Sequence, residues 1–376
     1  MSFTPLEVIS ETDLQDVCKC IWDWRLCGGC CGKPNCETSS CPWSRRDRVQ
    51  PALSRYNRLC SYYMPVSTKH QALRCHQDLL KIMDMIKGEA NESKEELMDR
   101  FFAARRIHVP VSDQEGALNL AVSILLSINC GVPDNHTDNL EDSEFAIPWR
   151  TGSSVTAFVD EAFKKNSTVH HFSNMSSIIG PGLTAKRLKD KIGLQFQPTD
   201  DMHSHLRIDF RSRVVYLFDC TAVLEEMLSA THNISQNSIL PRQMLLEILH
   251  TFYKVLFPPG RESENFASDL VKKNGFQKDF LRYKISWFKR ADDPEVDYSY
   301  FGDRLLDLHN ELEDPSPRNW FERLFEGGGK SAERKMLMAT TIGVFIAVTI
   351  GLFGLVIAGF QAWVGYQQWK HPVNGS

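Results

Sequence analysis

The feature that most constrains the fold is an uncharged, apolar run of 25 residues, 336–360, close to the C-terminus. As a helix rising about 1.5 Å per residue it would be roughly 37 Å long, enough to cross a hydrocarbon core of about 30 Å with some tilt. Thirteen of its residues are Leu, Ile, Val or Phe, and together they favour insertion by roughly 4 to 8 kcal/mol. The run therefore predicts a transmembrane helix over residues 336–360, followed by a short tail over residues 361–376.

Residues on either side of this run predict its orientation. Lys330, Arg334 and Lys335 precede the run and Lys370 alone follows it, and the side richer in Lys and Arg stays in the cytoplasm. The aromatic residues predicted as interfacial anchors are Trp363, Tyr366 and Trp369. We therefore expect a single-pass, tail-anchored membrane protein whose N-terminal region is cytoplasmic. Six Asn-x-Ser/Thr sequences favour the opposite orientation, but the N-terminus has no apolar stretch long enough for a signal peptide.

Small residues recur at every fourth position of the run and form one helix face. This small-residue ridge consists of Ala339, Gly343, Ala347 and Gly351. Small side chains let two helix backbones approach closely in a membrane, so the ridge predicts a transmembrane packing face and a homo-oligomer or a partner helix. The alternative is that Gly and Ala are simply common in membrane helices.

The rest of the chain has the composition of a globular protein. Of the 376 residues, 42% are hydrophobic and 24% charged, and the formal net charge is -4. Nucleic-acid binding needs a concentrated basic surface, so the balance of charges argues against a nucleic-acid partner. The expected partners are membrane lipid and an unknown cytosolic protein.

Hydrophobic periodicity predicts a mainly helical soluble domain over residues 67–313. Ser112 and Glu115 match a capping box in front of a strongly apolar helix, which we expect at the centre of the domain. Two further amphipathic helices are predicted from the apolar residues Leu245, Ile248, Leu249, Phe252, Val255 and Leu256, and from Phe301, Leu305, Leu308 and Leu312.

Between these helices, residues 194–218 alternate apolar and polar side chains around turn-forming residues, which predicts two or three short antiparallel strands. The predicted fold class is therefore mainly α: a helical soluble domain with a small antiparallel β-hairpin or three-stranded sheet, plus one C-terminal transmembrane helix. Residues 314–335 are predicted to form a juxtamembrane segment and linker.

Residues 1–66 are predicted to form a cysteine-rich, loop-prone segment. Its Cys27-x-x-Cys30 pair, followed by Cys36 and Cys41, supplies four thiolates that could hold a structural zinc ion. The competing interpretations are unbridged thiols, disulfides if the topology is inverted, and acylated cysteines at a membrane surface.

A second run, Asp200, Asp201, His203 and His205, contains metal-ligand residue types. We expect a structural role for it instead, because Asp residues in turns form local hydrogen bonds with the backbone. The chain contains no nucleophile elbow, dinucleotide-binding fingerprint, zinc-protease helix or kinase motif set. No catalytic or cofactor-binding residue is therefore predicted.

Several stretches resemble a family of uncharacterised filamentous-fungal single-span membrane proteins, over residues 100–372. They are PWRTGSSVTAFVDEAF, LTAKRLKDKIGLQFQPTDDMHSHLRID, LPRQMLLEIL, FGDRLLDLHNELEDPSPRNWFERLF and, most specific, FQAWVGYQQWKHP. The resemblance implies a mainly helical domain with one C-terminal span and implies no activity. We therefore expect a membrane-tethered, non-enzymatic interaction protein, with a membrane-active effector oligomerising through its transmembrane helix, or an unrecognised enzyme, as alternatives.

Overall fold

The chain divides into two compact units, Met1–Leu312 and Glu313–Ser376. The structure is a computed structural model, which describes residues 6, 8–27, 41–66, 70–103, 105, 108–131, 146–165, 182–231, 239–282, 290, 293–315 and 331–370. In the last of these ranges, side chains are described at positions 340, 343–367, 369 and 370.

Helices make up most of the described residues of the first unit, which confirms the mainly α prediction. They are α1 (Glu11–Trp22), α2 (Gln50–Tyr62), α3 (His76–Gly88), α4 (Lys94–Phe102), α5 (Val111–Leu126), α6 (Val155–Ala162), α7 (Ala185–Ile192), α8 (Thr221–Ala230), α9 (Arg242–His250), α10 (Arg261–Lys273) and α11 (Gly302–Glu313). Short 3-10 helices span Pro42–Arg48, Met202–Ser204 and Lys278–Leu281, and α9 continues into a π-helix over Thr251–Leu256.

Local sequence signals set several helix starts. Ser10 and Asp13 form a capping box at α1, and Ser93 does the same with Glu96 at α4. The capping box predicted at Ser112 is wrong, since α5 already begins at Val111 after Pro110 and its start has no side-chain cap. Proline fits a helix entrance because its fixed φ angle is already suitable and its missing N–H is not needed there.

The apolar helix α5 lies at the centre of the unit, as expected. Ala117, Leu118, Ala121 and Val122 are completely buried, and α5 packs against α2, α3 and α4. The apolar faces predicted around α9 and α11 are also confirmed. Their buried residues are Leu245, Ile248, Leu249, Phe252, Val255, Leu256, Phe301, Leu305, Leu308 and Leu312.

The expected three-stranded sheet is present, but its pairing is mixed. The strands are β1 (Gln195–Thr199), β2 (Ile208–Asp209) and β3 (Val214–Phe218), in the order β1-β3-β2. β2 pairs antiparallel with β3, as predicted, whereas β1 pairs parallel with β3. The chain turns through a 3-10 helix after β1 instead of forming a hairpin. The resulting connection is long enough for a parallel pair, which needs about a dozen residues.

Residues 8–27 and 41–66 of the predicted cysteine-rich segment are largely helical. They contain α1, a 3-10 helix and α2, and they belong to the same compact unit as the rest of the helical region. Trp22 and Trp43 are 3% and 2% exposed, so this segment buries large aromatic side chains in the shared core. The loop-prone prediction was based on the cysteines and turn residues and did not take these tryptophans into account.

Ion pairs fix the N-terminal segment to α8. Arg45 donates to Glu226, and Arg48 donates to both Glu225 and Asp279. The Glu225 and Glu226 side chains are each only 6% exposed. A carboxylate this deeply buried needs a partner to offset its lost hydration, so the two arginines are part of the packing between the segment and the core.

In the second unit, helix α12 spans Ser331–Lys370. Its apolar window, Gly343–Gln367, is long and apolar enough to cross a membrane, and none of that window is buried inside the protein. Of the predicted juxtamembrane segment, residues 316–330 lie outside the described residues, as do residues 371–376 of the predicted tail.

Candidate functional site

The predicted zinc ligands are only partly placed by the structure. Cys41 is buried and Cys27 is partly exposed, whereas Cys30 and Cys36 lie outside the described residues. Among the residues that are described, no three His, Cys, Asp or Glu side chains are grouped so that they could hold a metal ion. The four-cysteine zinc site stays a prediction.

Three other N-terminal cysteines, Cys18, Cys20 and Cys60, belong to the hydrophobic core. Each of them is at most 7% exposed. Burial raises the pKa of Cys18 and of Cys60 to about 12. The pKa of Cys20 is also raised, mainly by burial and in addition by the hydrogen bond that its thiol donates to Asp84. These thiols stay protonated at neutral pH, so they pack as small apolar side chains instead of acting as thiolate ligands.

The Asp200–His205 region has the structural role expected of it. The Asp201 carboxylate accepts hydrogen bonds from the N–H groups of Asn129 and His203 and from the Ser204 hydroxyl. His205 is completely buried, and its Nδ1 accepts from the N–H of Phe218. Burial lowers the pKa of His203 to about 4 and that of His205 well below its usual value. Both imidazoles are therefore neutral at pH 7.

Helix α12 carries the predicted packing face and the predicted interfacial anchors. Gly343, Ala347 and Gly351 are exposed, and a Cβ atom added to either glycine would meet no atom within 4 Å. The anchors are also exposed, with Trp363 at 58%, Tyr366 at 55% and Trp369 at 80%. The backbone of Ala339 lies in the same helix. These positions are open to lipid or to another helix.

Sequence reasoning missed a large concavity in the first unit, the polar cleft, with a volume of about 1230 Å³. One face of α2, the sheet and its turns, and the loop after α10 provide its walls. The residues lining the polar cleft are Gln50, Pro51, Ser54, Arg55, Arg58, Asn129, Gln197, Pro198, Thr199, Asp200, Asp201, Ser204, Arg207, Ile208, Asp209, Phe210, Arg211, Tyr216, Asp219, Cys220, Gly275 and Gln277.

The parallel pairing of β1 and β3 positions two acidic residues of the cleft. Thr199 of β1 pairs with Phe218 of β3, so the residues that follow, Asp200 and Asp219, leave the sheet at the same edge. Ligands of open α/β sheets bind outside the carboxyl ends of parallel strands, where loops and side chains meet. The carboxyl ends of the two parallel strands, β1 and β3, therefore lie at the kind of sheet edge where ligands of α/β proteins bind.

Helix α2 supplies two arginines that meet at Asp200. Arg55 donates from Nη1 to Asp200 at 2.8 Å and from Nη2 to the Asn129 side chain at 2.7 Å. Arg58 lies one helical turn further on and donates to the other oxygen of Asp200 at 2.5 Å. The side chain of Arg55 is 3% exposed and that of Arg58 is 38% exposed. One carboxylate thus holds one buried and one accessible guanidinium group at the cleft wall.

Asp219 occupies a different environment in the same cleft. Its side chain accepts a hydrogen bond from the N–H of Gln277 at 2.7 Å, and the residue is 3% exposed. Burial raises the pKa of Asp219 to about 7, and the negative charge of Asp200 also contributes. The neighbouring thiol of Cys220 is buried, and burial raises its pKa well above the usual value. Asp219 is therefore a carboxyl group that can gain or lose a proton near neutral pH.

The loop that closes the cleft depends on one glycine. Gly275 has a φ angle of +77°, in the left-handed region that favours glycine. This turn brings the N–H of Gln277 to the Asp219 carboxyl group. The cleft could not be predicted from a short motif, because residues from four distant parts of the chain form its lining.

Comparisons of the chain with protein-family models, with curated proteins and with solved structures give no match. The resemblance to the fungal membrane-protein family therefore stays a prediction.

Proposed function

We propose that this chain is a membrane-tethered, non-enzymatic interaction protein, in which α12 holds the helical first unit at a membrane. The apolar window of α12, Gly343–Gln367, carries the proposal because none of it is buried. Soluble monomers rarely expose so large a continuous apolar surface. Insertion into a bilayer would remove it from water, with aromatic residues at the interface.

The polar cleft supports the interaction part of the proposal. It is concave, it is lined by amide, hydroxyl and charged groups, and it lies entirely within the first unit. Binding sites combine such concave shape with a few polar groups held in fixed positions. We propose the cleft as the site through which the tethered unit engages a cytosolic binding partner, whether a small molecule or a protein segment.

The tether is tested by placing charge inside the apolar window. The double variant Leu352→Arg with Phe353→Arg should move the protein from the membrane pellet to the supernatant after alkaline carbonate washing. Two arginines near the helix centre cost roughly 5 to 7 kcal/mol of insertion free energy, comparable with the roughly 4 to 8 kcal/mol gained by the apolar residues. Replacing the same two residues by Ala is the control, and it should leave the protein in the pellet.

The same preparation tests orientation through an N-terminal epitope tag. Protease added outside intact organelles should remove the tag, since the N-terminal region is proposed to be cytoplasmic. Release of the unaltered protein by carbonate would contradict the tether, whereas a protected tag would contradict only the orientation.

Two alternatives each have one supporting observation. The exposed small-residue ridge would suit a membrane-active effector that oligomerises through α12. The polar cleft, with Asp219 buried beside the doubly paired Asp200, would suit an enzyme, because unequal carboxyl groups in a cleft are typical of acid–base sites.

A further inference from the structure

The acidic groups of the polar cleft already have partners within the protein. Both oxygens of Asp200 accept from arginines. Both oxygens of Asp201 accept from nearby N–H and hydroxyl groups, and both oxygens of Asp209 accept from its own turn. Asp219 accepts from the N–H of Gln277. Each of these carboxyl groups is therefore already engaged by donors of the protein.

The arginines of the cleft have donors to spare. A guanidinium group has five N–H donors. The interactions of Arg55 within the cleft use two of its nitrogens, and its Nε has no hydrogen-bond partner among the described residues. The Nε of Arg58 is likewise buried with no partner in the described part of the chain. Guanidinium groups bind carboxylate and phosphate oxygens strongly because the hydrogen bonds are charge-assisted and can be bidentate.

Charge in the cleft favours the same kind of ligand. Four arginines line it, namely Arg55, Arg58, Arg207 and Arg211, together with four aspartates. One of those aspartates, Asp219, is partly protonated near neutral pH, because burial raises its pKa to about 7. The lining is therefore slightly positive at neutral pH and below, although the whole chain has a net charge of -4.

We propose that the polar cleft binds an anionic small molecule, whose carboxylate or phosphate group is held by the guanidinium groups of Arg55 and Arg58. The amide and hydroxyl side chains around them, among them Gln197, Thr199 and Tyr216, would hydrogen-bond the polar remainder of the molecule. At about 1230 Å³ the cleft exceeds the roughly 300 to 1,000 Å³ of ordinary ligand pockets, so the ligand would be accompanied by water. The inference concerns the first unit alone and does not depend on the membrane tether.

Calorimetric titration of the full-length protein in non-ionic detergent tests this site. The probes are pyrophosphate for the phosphate class, citrate for the carboxylate class and maltose as a neutral polar control, all at equal ionic strength. At least one of the two anions should bind saturably and raise the melting temperature, because a ligand that binds only the folded state stabilises it. Maltose should do neither.

Three variants assign the binding to the cleft. Arg58→Gln replaces an accessible side chain and should leave the fold intact. It is expected to weaken the affinity for the anion about tenfold or more. Arg58→Lys keeps the charge and should give an intermediate loss. The matched control Arg150→Gln removes an arginine that is 73% exposed and outside the cleft, and it should leave affinity within about twofold.

A fourth variant changes the affinity in the opposite direction. Asp200→Asn removes the internal carboxylate that competes for both arginines, so it should lower the melting temperature without ligand but strengthen anion binding. Absence of saturable binding by either anion up to about 10 mM, the weak end of specific association, would overturn the proposal. Equal binding of maltose, or an affinity that Arg58→Gln leaves unchanged, would also overturn it.

Discussion

At the scale of single residues, the buried carboxyl groups stand apart from the other charged groups. Glu247 accepts hydrogen bonds from the N–H groups of Tyr300 and Phe301, at the start of α11. Burial nevertheless raises the pKa of Glu247 to about 8, against the effect of those two hydrogen bonds. Burial likewise raises the pKa of Asp219 to about 7. At pH 7 both groups exist largely or partly as neutral acids, which lowers the cost of burying them.

This behaviour predicts a pH effect that can be assigned to Asp219. Because burial holds the pKa of Asp219 at about 7 in the folded state, whereas its usual value is 3.8, the folded protein retains a proton that the unfolded chain releases. The stabilisation it provides is present below about pH 4 and is lost as the pH rises through 7. Relative to Asp219→Asn, the wild type should lose up to about 4 kcal/mol of unfolding free energy between pH 4 and 8.

Urea unfolding in detergent, followed by tryptophan fluorescence, measures this difference. Asp209→Asn is the control, since hydrogen bonds from its own turn, led by that of Ser212, lower the pKa of Asp209. The stability difference between that variant and the wild type should be constant between pH 5 and 8 and should shrink only at acid pH, because stabilisation by a carboxylate with a lowered pKa is lost as the pH falls. Parallel curves for wild type and Asp219→Asn between pH 5 and 8 would refute the assignment.

At the scale of helices and strands, contacts distant in sequence hold the elements together. The 3-10 helix Pro42–Arg48 is fixed to α8 by ion pairs with the buried carboxylates Glu225 and Glu226. In the wall of the polar cleft, Arg55 of α2 pairs with Asp200, which follows β1. These pairs connect elements that local propensity alone would leave independent. Removing one partner of such a pair leaves a buried charge without compensation.

Arg48→Met tests the connection between the 3-10 helix and α8. The methionine fills a similar volume but leaves Glu225, whose side chain is 6% exposed, without its arginine, and leaves Asp279 paired with Arg282 alone. The free energy of unfolding should fall by about 3 to 5 kcal/mol. Arg150→Met is the matched control. It breaks an ion pair whose side chains are 73% and 52% exposed, and it should cost less than about 1 kcal/mol.

The same scale shows which elements the sequence could predict. The α9 and α11 faces were predicted because their apolar spacing is local, and α5 because its apolar content is high throughout. The parallel pairing of β1 with β3 was not predicted, since alternation marks a strand but does not specify its neighbour. The N-terminal helices were missed because cysteine serves equally as a metal ligand and as a small core residue.

The polar cleft could not be predicted from the sequence either, because its lining residues are far apart along the chain. Arg55, Asn129, Asp200, Asp219 and Gln277 are each ordinary surface residue types, and nothing in their sequence spacing brings them together. Only the tertiary fold makes them neighbours. The DDxHxH run at residues 200–205 does lie at the cleft, but its two histidines are neutral at pH 7. Asp200 and Asp201 line the cleft, and Asp200 is the one that pairs with the arginines.

At the scale of the whole molecule, the proposed tether and the effector alternative predict different oligomeric behaviour. Under the proposed function, Gly343→Leu with Gly351→Leu should leave the mass of the detergent-solubilised protein unchanged in light scattering. Bulky side chains on the small-residue ridge block close helix packing but do not reduce hydrophobicity. Loss of an oligomer in the variant, together with loss of dye release from liposomes, would favour the effector. Ala347→Leu changes the same ridge without altering a glycine, so comparing it with the double variant shows whether any loss of the oligomer depends on the glycines.

The ion pairs between the N-terminal segment and α8 also affect how the chain matures during synthesis. Arg48 and Glu225 are separated by 177 positions, and Arg45 and Glu226 by 181. At a translation rate of about 5 to 20 residues per second, the first segment waits roughly 10 to 35 seconds before its counterpart leaves the ribosome. During that interval Trp24, whose indole N–H donates to Glu226 in the finished fold, lacks that acceptor. The part of the unit that is made first can therefore complete these ion pairs only after α8 has been synthesised.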